Sequence, residues 1–207
     1  MAHRILVDMD NTLCDWSKGF REWMAAQGYT ITEEAETYPA TIGLFAEHGI
    51  RASALVWHAI RSPGFFRHLS PHPEMISLIH SLEARGHEVW ICTMPLEHDD
   101  SIWCQEEKRI WVARHLGERF IDRIVFSRQK HTIPGLYLID DSPSIIKRAN
   151  EATWKPVLVE HPYNRDVVCE RRVTFGTAID DITKVLENDG VMEVENIADS
   201  ITAEVKC

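Results

Sequence analysis

The chain has 207 residues, 44% of them hydrophobic and 26% charged, which suits one domain with a packed core and excludes a mainly disordered or fibrous chain. Its 22 basic and 32 acidic side chains give a formal net charge of −10, so the basic footprint of a nucleic-acid polymer binder is missing, and no run approaches the roughly 18 apolar residues of a membrane span. The opening Met1-Ala2-His3-Arg4-Ile5-Leu6-Val7-Asp8 meets an acid too early for a secretory signal, and the five cysteines (14, 92, 104, 169, 207) form no C-x-x-C pair, so reduced thiols in a cytoplasmic setting are expected.

Short apolar runs alternate with helical periodicity along the chain. Ile5-Leu6-Val7 reads as a first strand. About sixty residues then precede Pro73, far more than a crossover needs, with helix candidates at 15–27 and 52–61. An inserted, mainly helical cap over 15–70 is the simplest reading, and a long helix followed by a disordered loop is the alternative. The aromatic content of the segment speaks for the cap. A helix over 74–85 carries Met75, Leu78, Ile79 and Leu82 and stops at Gly86. A strand follows at Val89-Trp90-Ile91-Cys92. The helix over 101–116 takes Ile102, Ile110, Val112, Ala113 and Leu116 as its apolar positions, which puts Lys108, Arg109 and Arg114 on a solvated face. Ile124-Val125-Phe126 and Leu136-Tyr137-Leu138-Ile139 are further strands. Ser142-Pro143-Ser144 caps a short helix over 145–150, Pro156–Val159 is a fifth strand, and 177–188 is a last helix on Ile179, Ile182, Val185 and Leu186. Strands apolar on both faces, separated by helices, predict an α/β fold with a central parallel sheet flanked by helices.

Polar groups capable of chemistry directly follow four of the five strands. They are Asp8-Met9-Asp10-Asn11-Thr12, Thr93, Ser127-Arg128-Gln129-Lys130 and Asp140-Asp141-Ser142. Ligands of open parallel sheets bind outside the carboxyl ends of the strands, so all four clusters converge on one edge. Four carboxylates there repel one another unless a cation intervenes. An incomplete cage of hard oxygens suits Mg²⁺, which keeps waters and a substrate oxygen. A carboxylate beside such an ion can attack phosphorus, and a second can protonate the leaving oxygen and then activate water. Lys130 adds a fixed cation and Thr93 a hydroxyl donor for phosphoryl oxygens.

With these residues in view, Asp8-Met9-Asp10-Asn11-Thr12-Leu13 resembles the nucleophile motif of the haloacid dehalogenase-like (HAD) hydrolases. Thr93, Lys130 and Asp140-Asp141 resemble the three further motifs of that superfamily, in order. Ser62-Pro63-Gly64-Phe65-Phe66-Arg67, Leu69-Ser70-Pro71-His72-Pro73, Glu107-Lys108-Arg109 and Ser127-Arg128-Gln129-Lys130-His131-Thr132 are similar to stretches of the 5′(3′)-deoxyribonucleotidases. The resemblance covers roughly residues 4–150. It implies a HAD-like Rossmannoid core, here over 1–14 and 71–190, which agrees with the cap over 15–70 inserted after the first strand, and the charge count marks 191–207 as an acidic tail. It further implies Asp8 as nucleophile and Asp10 as general acid/base. Mg²⁺ would be held by Asp8, the Asp10 carbonyl and Asp141 with Asp140 adjacent, and Thr93 and Lys130 would hold the phosphate. Trp16, Phe45 and Phe65 are the candidates to stack a base. The implied substrate is a (deoxy)ribonucleoside 5′-monophosphate. A sugar phosphate is the runner-up, and a non-catalytic phospho-ligand binder or a phosphotransferase shares the same residues. A homodimer follows from the same analogy.

Two positions depart from that pattern. Met94 and Glu97 stand where the family usually has a serine and a phosphate-binding lysine, leaving the Met94 backbone N–H and His98 as substitutes. Residues 1–179 carry 20 basic and 24 acidic side chains, so the four site aspartates account for the whole imbalance there. Residues 180–207 carry 2 basic and 8 acidic side chains.

Overall fold

A computed structural model of the chain describes residues 2–29, 50–97 and 100–191. Phe45, His98 and the acidic tail beyond Val191 lie outside these residues. Six strands, β1 (Arg4–Val7), β2 (Glu88–Thr93), β3 (Ile124–Phe126), β4 (Tyr137–Asp140), β5 (Lys155–Val159) and β6 (Arg172–Val173), form one sheet in the order β3-β2-β1-β4-β5-β6. Every pairing is parallel. This is the α/β architecture that the alternating pattern predicts. The two-residue β6 was not among the predicted strands. It is too short to show a period of its own and forms only by pairing with Leu158 and Val159.

The helices are α1 (Trp16–Ala26), α2 (Ile50–Arg61), α3 (Pro73–Ala84), α4 (Asp100–His115), α5 (Ser144–Arg148) and α6 (Ala178–Asn188). Successive strand residues point to opposite faces, and two apolar layers result. Ile5, Val7, Val89, Ile91, Tyr137 and Ile139 pack with buried residues of α3, α4 and α6. Leu6, Cys92, Leu138 and Leu158 pack with Ile145 of α5 and Trp154. Met75, Leu78, Ile79 and Leu82 of α3 are fully buried, on the stripe read from the sequence. In α6 the buried positions are Ala178, Ile182, Val185 and Leu186, and Ile179 turns to solvent.

α4 departs most from expectation. Its buried positions are Cys104, Glu107, Lys108, Trp111 and Val112, at spacings of three, one, three and one, while Ile102 and Ile110 are exposed. The predicted solvated face holds for Arg114 but fails for Lys108, which has no exposed surface.

Two of the acids beyond residue 179 have structural work. Asp181 accepts hydrogen bonds from the Thr174 backbone N–H and the Thr177 hydroxyl at 3.1 and 2.6 Å, fixing the start of α6. Asp189 accepts from the Arg171 guanidinium (2.9 Å twice), Lys155 (3.0 Å) and the Tyr137 hydroxyl (2.6 Å), tying the end of α6 to the sheet. Arg171 and these neighbours hold the Asp189 carboxyl well below the usual carboxylate range. A depressed carboxylate contributes stability that is present above its unfolded pKa and lost as pH falls. Asp189→Ala is therefore expected to cost about 2–4 kcal/mol near neutral pH. The difference from wild type should shrink below about pH 4, measured by urea unfolding across pH.

Candidate active site

The strand order turns back at β1, so a crevice opens beyond the carboxyl ends of β1 and β4, where α/β sheets bind ligands. Asp8 leaves β1 with its N–H bonded to the Ile139 carbonyl at 2.8 Å. The Met9 carbonyl then accepts from the Leu13 and Cys14 N–H groups at 2.8 and 3.0 Å, curling Asp8–Cys14 into a compact turn. Asn11 makes the turn possible with a φ of 55°, in the left-handed region that asparagine tolerates better than most residues. Its side chain accepts from the Ser17 N–H at 2.9 Å, linking this turn to α1. The N-cap Asp15 accepts from the Lys18 N–H at 2.8 Å.

Two lysine-centred clusters fill the crevice. In the first, the Lys130 ammonium donates to Asp8 and to Asp140, each at 2.6 Å. Asp8, Asp140 and Asp141 are buried and bring a carboxylate oxygen each to within 4.8 Å of one another. Burial pushes the Asp140 carboxyl up against the pull of Lys130, and it pushes Asp141 well up, helped by the charges of Asp140 and Asp8. Lys130 loses by burial but gains more from Asp140 and Asp8, and its ammonium is held well above the usual lysine range. The Trp154 indole N–H donates to the Lys130 carbonyl at 3.0 Å and fixes that loop. Three hard-oxygen donors this close, with one cation among them, fit a divalent metal ion.

In the second cluster the Lys108 ammonium donates to Asp10 at 2.6 Å, to the Thr93 hydroxyl at 2.8 Å and to the Met94 carbonyl at 3.1 Å. It also lies 4.9 Å from the centre of the Phe66 ring. Burial raises the Asp10 carboxyl against the attraction of Lys108, and Asp8 adds to the rise. The sequence pattern missed Lys108. The signal was present in the spacing from Cys104 to Trp111 and Val112, which places position 108 on the apolar stripe of α4.

The four acids, the lysine and the threonine expected at the sheet edge thus meet in one crevice. Asp8, Asp10, Lys130, Asp140 and Asp141 line a cavity of about 840 Å³, and Trp16, Val56, Trp57, Ile60, Phe66 and Met94 line it as well. Thr93 is fully buried beneath them. Trp16 stacks on Phe20 with ring centres 5.3 Å apart. Phe65 and Phe66 are both buried, Phe65 edge-on to Trp16 and to Phe66, and of the two it is Phe66 that reaches the cavity. Met94 is half exposed at the cavity, and Glu97 pairs with Arg128 at 2.9 Å beside it. Cys92 and Cys104 are buried free thiols, and burial pushes Cys92 up to about 12. No helix among the described residues is long and apolar enough to cross a membrane.

The model of the 5′ nucleotidase, deoxy (pyrimidine), cytosolic type C protein family matches residues 2–186. The cytosolic-type 5′(3′)-deoxyribonucleotidase of Homo sapiens is 30% identical over 175 residues, which is 80% of this chain and 83% of that protein. The mitochondrial 5′(3′)-deoxyribonucleotidase of Mus musculus is 30% identical over 193 residues, or 90% of this chain and 86% of that protein. Among solved structures, a HAD family hydrolase from Deinococcus radiodurans R1 with bound phosphate and sodium superposes with a TM-score of 0.58 at 14% identity, covering 92% of this chain and 97% of that one. That last likeness shows the fold.

Proposed function

The chain belongs to the cytosolic type C 5′-nucleotidase family of HAD-like phosphatases, and from that premise we propose that it is a Mg²⁺-dependent phosphomonoesterase acting on (deoxy)ribonucleoside 5′-monophosphates through an aspartyl phosphate on Asp8. The observation that carries this reading is the side-by-side placement of the Asp8–Lys130–Asp140 and Asp10–Lys108–Thr93 clusters at a cavity that Trp16, Val56, Trp57 and Ile60 also line, together with polar residues such as Arg128 and Arg148. Asp8, Asp140, Asp141 and the Asp10 carbonyl would hold Mg²⁺, which supplies charge neutralisation for a phosphate dianion among carboxylates.

In this reading the Asp8 carboxylate oxygen attacks phosphorus as the bond to the ester oxygen breaks, and Asp10 gives that oxygen its proton. The raised Asp10 carboxyl suits the acid role, since it keeps its proton to higher pH than an ordinary aspartate. Asp10, now ionised, takes a proton from the water that hydrolyses the acyl phosphate, releasing phosphate and restoring both carboxyls. Lys130 holds the phosphoryl oxygens from the cavity wall, Thr93 supports the site from beneath through Lys108, and Lys108 fixes the second Asp10 oxygen. Trp16 would be the surface a base lies against, with Phe66 behind it at the cavity.

Met94 and the Glu97–Arg128 pair remove two phosphate donors at the rim, which favours other small phosphate esters as a second reading. A phosphate-release screen over ribo- and deoxyribonucleoside 5′- and 3′-monophosphates and sugar phosphates separates the two. Preference for a deoxyribonucleoside 5′-monophosphate is expected. A flat profile or a sugar-phosphate preference overturns the nucleotide assignment. EDTA is expected to stop turnover and Mg²⁺ to restore it, and indifference to chelation removes the metal from the site. A cytoplasmic homodimer completes the proposal, with sedimentation velocity as the check on assembly.

A further inference from the structure

The segment after β5 supports the crevice from behind. Asn164 is fully buried with all its polar capacity in use. Its amide donates to the Asp141 and Val159 carbonyls, both at 2.8 Å, and its oxygen accepts from the His161 N–H at 3.0 Å and from Arg172 at 3.1 Å. This rigid turn presents two rings to the site. The Tyr163 hydroxyl donates to Asp141 Oδ2 at 2.6 Å. The His161 ring lies parallel to that of Tyr163, with centres 4.9 Å apart and planes 6° apart. Its Nε2 is 2.6 Å from the Asn11 carbonyl, and a carbonyl only accepts, so Nε2 carries the proton. The histidine also meets Phe175 edge-on, with ring centres 5.2 Å apart.

The stacked pair therefore touches both sides of the crevice. One ring grips an Asp141 carboxylate oxygen. The other grips the backbone of the turn that carries Asp10. Among the described residues, Asp141 Oδ1 has a long contact of 3.5 Å from the Thr12 hydroxyl, and the Asp141 carboxylate brings an oxygen to within 4.8 Å of oxygens of Asp8 and Asp140. We propose that Tyr163, braced by His161, is a positioning residue that sets the orientation of the Asp141 carboxylate and thereby the affinity of the acidic cluster for Mg²⁺. The inference rests on the reading of Asp141 as a metal ligand. A neutral hydroxyl that occupies one carboxylate oxygen leaves the other free in a single direction, and it limits the rotation that a lone carboxylate would otherwise lose on binding a cation. Outer partners of this kind change metal affinity by roughly 10–100-fold when removed.

The test is Mg²⁺ binding to the full chain by isothermal titration calorimetry without substrate, beside thermal melting in metal-free buffer. Tyr163→Phe keeps the stacked ring and loses only the hydroxyl. It is expected to weaken Mg²⁺ binding by about tenfold or more while the metal-free protein still melts cooperatively close to wild type. In an Asp141→Asn background the same change should have little further effect on binding. Equal Mg²⁺ affinity in wild type and Tyr163→Phe overturns the inference. So does loss of cooperative melting in Tyr163→Phe, which would make the hydroxyl a folding contact. Wild-type protein that binds no Mg²⁺ overturns the assignment of Asp141 as a ligand instead, and the two failures are distinguishable in one experiment.

Discussion

Asp8→Asn is expected to lower turnover of any phosphate monoester by roughly 10⁵–10⁶-fold, the scale seen when a nucleophile is removed from a set of residues that act as a unit. The substitution is close to isosteric. The asparagine carbonyl can still accept from Lys130, so the contact at 2.6 Å keeps an acceptor. The variant loses the negative charge that attacks phosphorus. The fold should not suffer, because the Asp8 charge raises the carboxyls of Asp10, Asp140 and Asp141 and its removal relieves that repulsion. Metal-free Asp8→Asn is thus expected to melt at or slightly above wild type. The measurements are hydrolysis of an aryl phosphate and a melting curve. An Asp8→Asn protein with wild-type activity would sink the aspartyl-phosphate mechanism whatever its stability.

Lys108→Met should produce the next largest effect, and on two readouts together. The lysine is wholly buried and serves three acceptors, Asp10, Thr93 and the Met94 carbonyl. Methionine fills similar volume but leaves the Asp10 carboxylate unpaired, and breaking a buried pair on one side costs about 3–5 kcal/mol. Asp10 keeps 29% of its side chain exposed, so water recovers part of that, and about 2–3 kcal/mol is expected from urea unfolding. With Asp10 and Thr93 no longer fixed relative to each other, kcat/KM should fall by roughly 10²–10³-fold, the range for loss of one preorganised donor. A Lys108→Met enzyme with unchanged kcat/KM would show that this lysine holds the fold and nothing more.

How far the sequence carried depended on whether a signal was local. The five longer strands are apolar on both faces, so Ile5-Leu6-Val7 or Leu138-Ile139 announces itself without reference to a partner. Asp8, Asp10, Thr93, Lys130, Asp140 and Asp141 follow those strands directly, and their meeting in the crevice is a consequence of parallel topology. Lys108 is hidden because its position is fixed by a helical stripe that includes a charge, whereas Ile102 and Ile110, the apolar residues that suggest the stripe, face solvent. Tyr163 and Asn164 were invisible for another reason. They lie beyond residue 160 in a short turn without periodicity, and their importance appears only when β5 returns the chain behind Asp141. Phe66 rather than Phe65 faces the cavity because the turn at Phe66–His68 sets which neighbour points inward, a detail no pattern of two adjacent phenylalanines contains.

Glu107 sits beside Lys108 on α4 and accepts from the Gly64, Phe66 and Arg67 N–H groups. One helical residue thus secures the segment that carries the aromatic wall, and the next secures the carboxyl assigned to proton transfer. Their separation along the helix axis is one rise, about 1.5 Å, and it cannot stretch without breaking the helix. The anchor of the Phe66 segment and the anchor of Asp10 therefore shift together with α4 and cannot move apart.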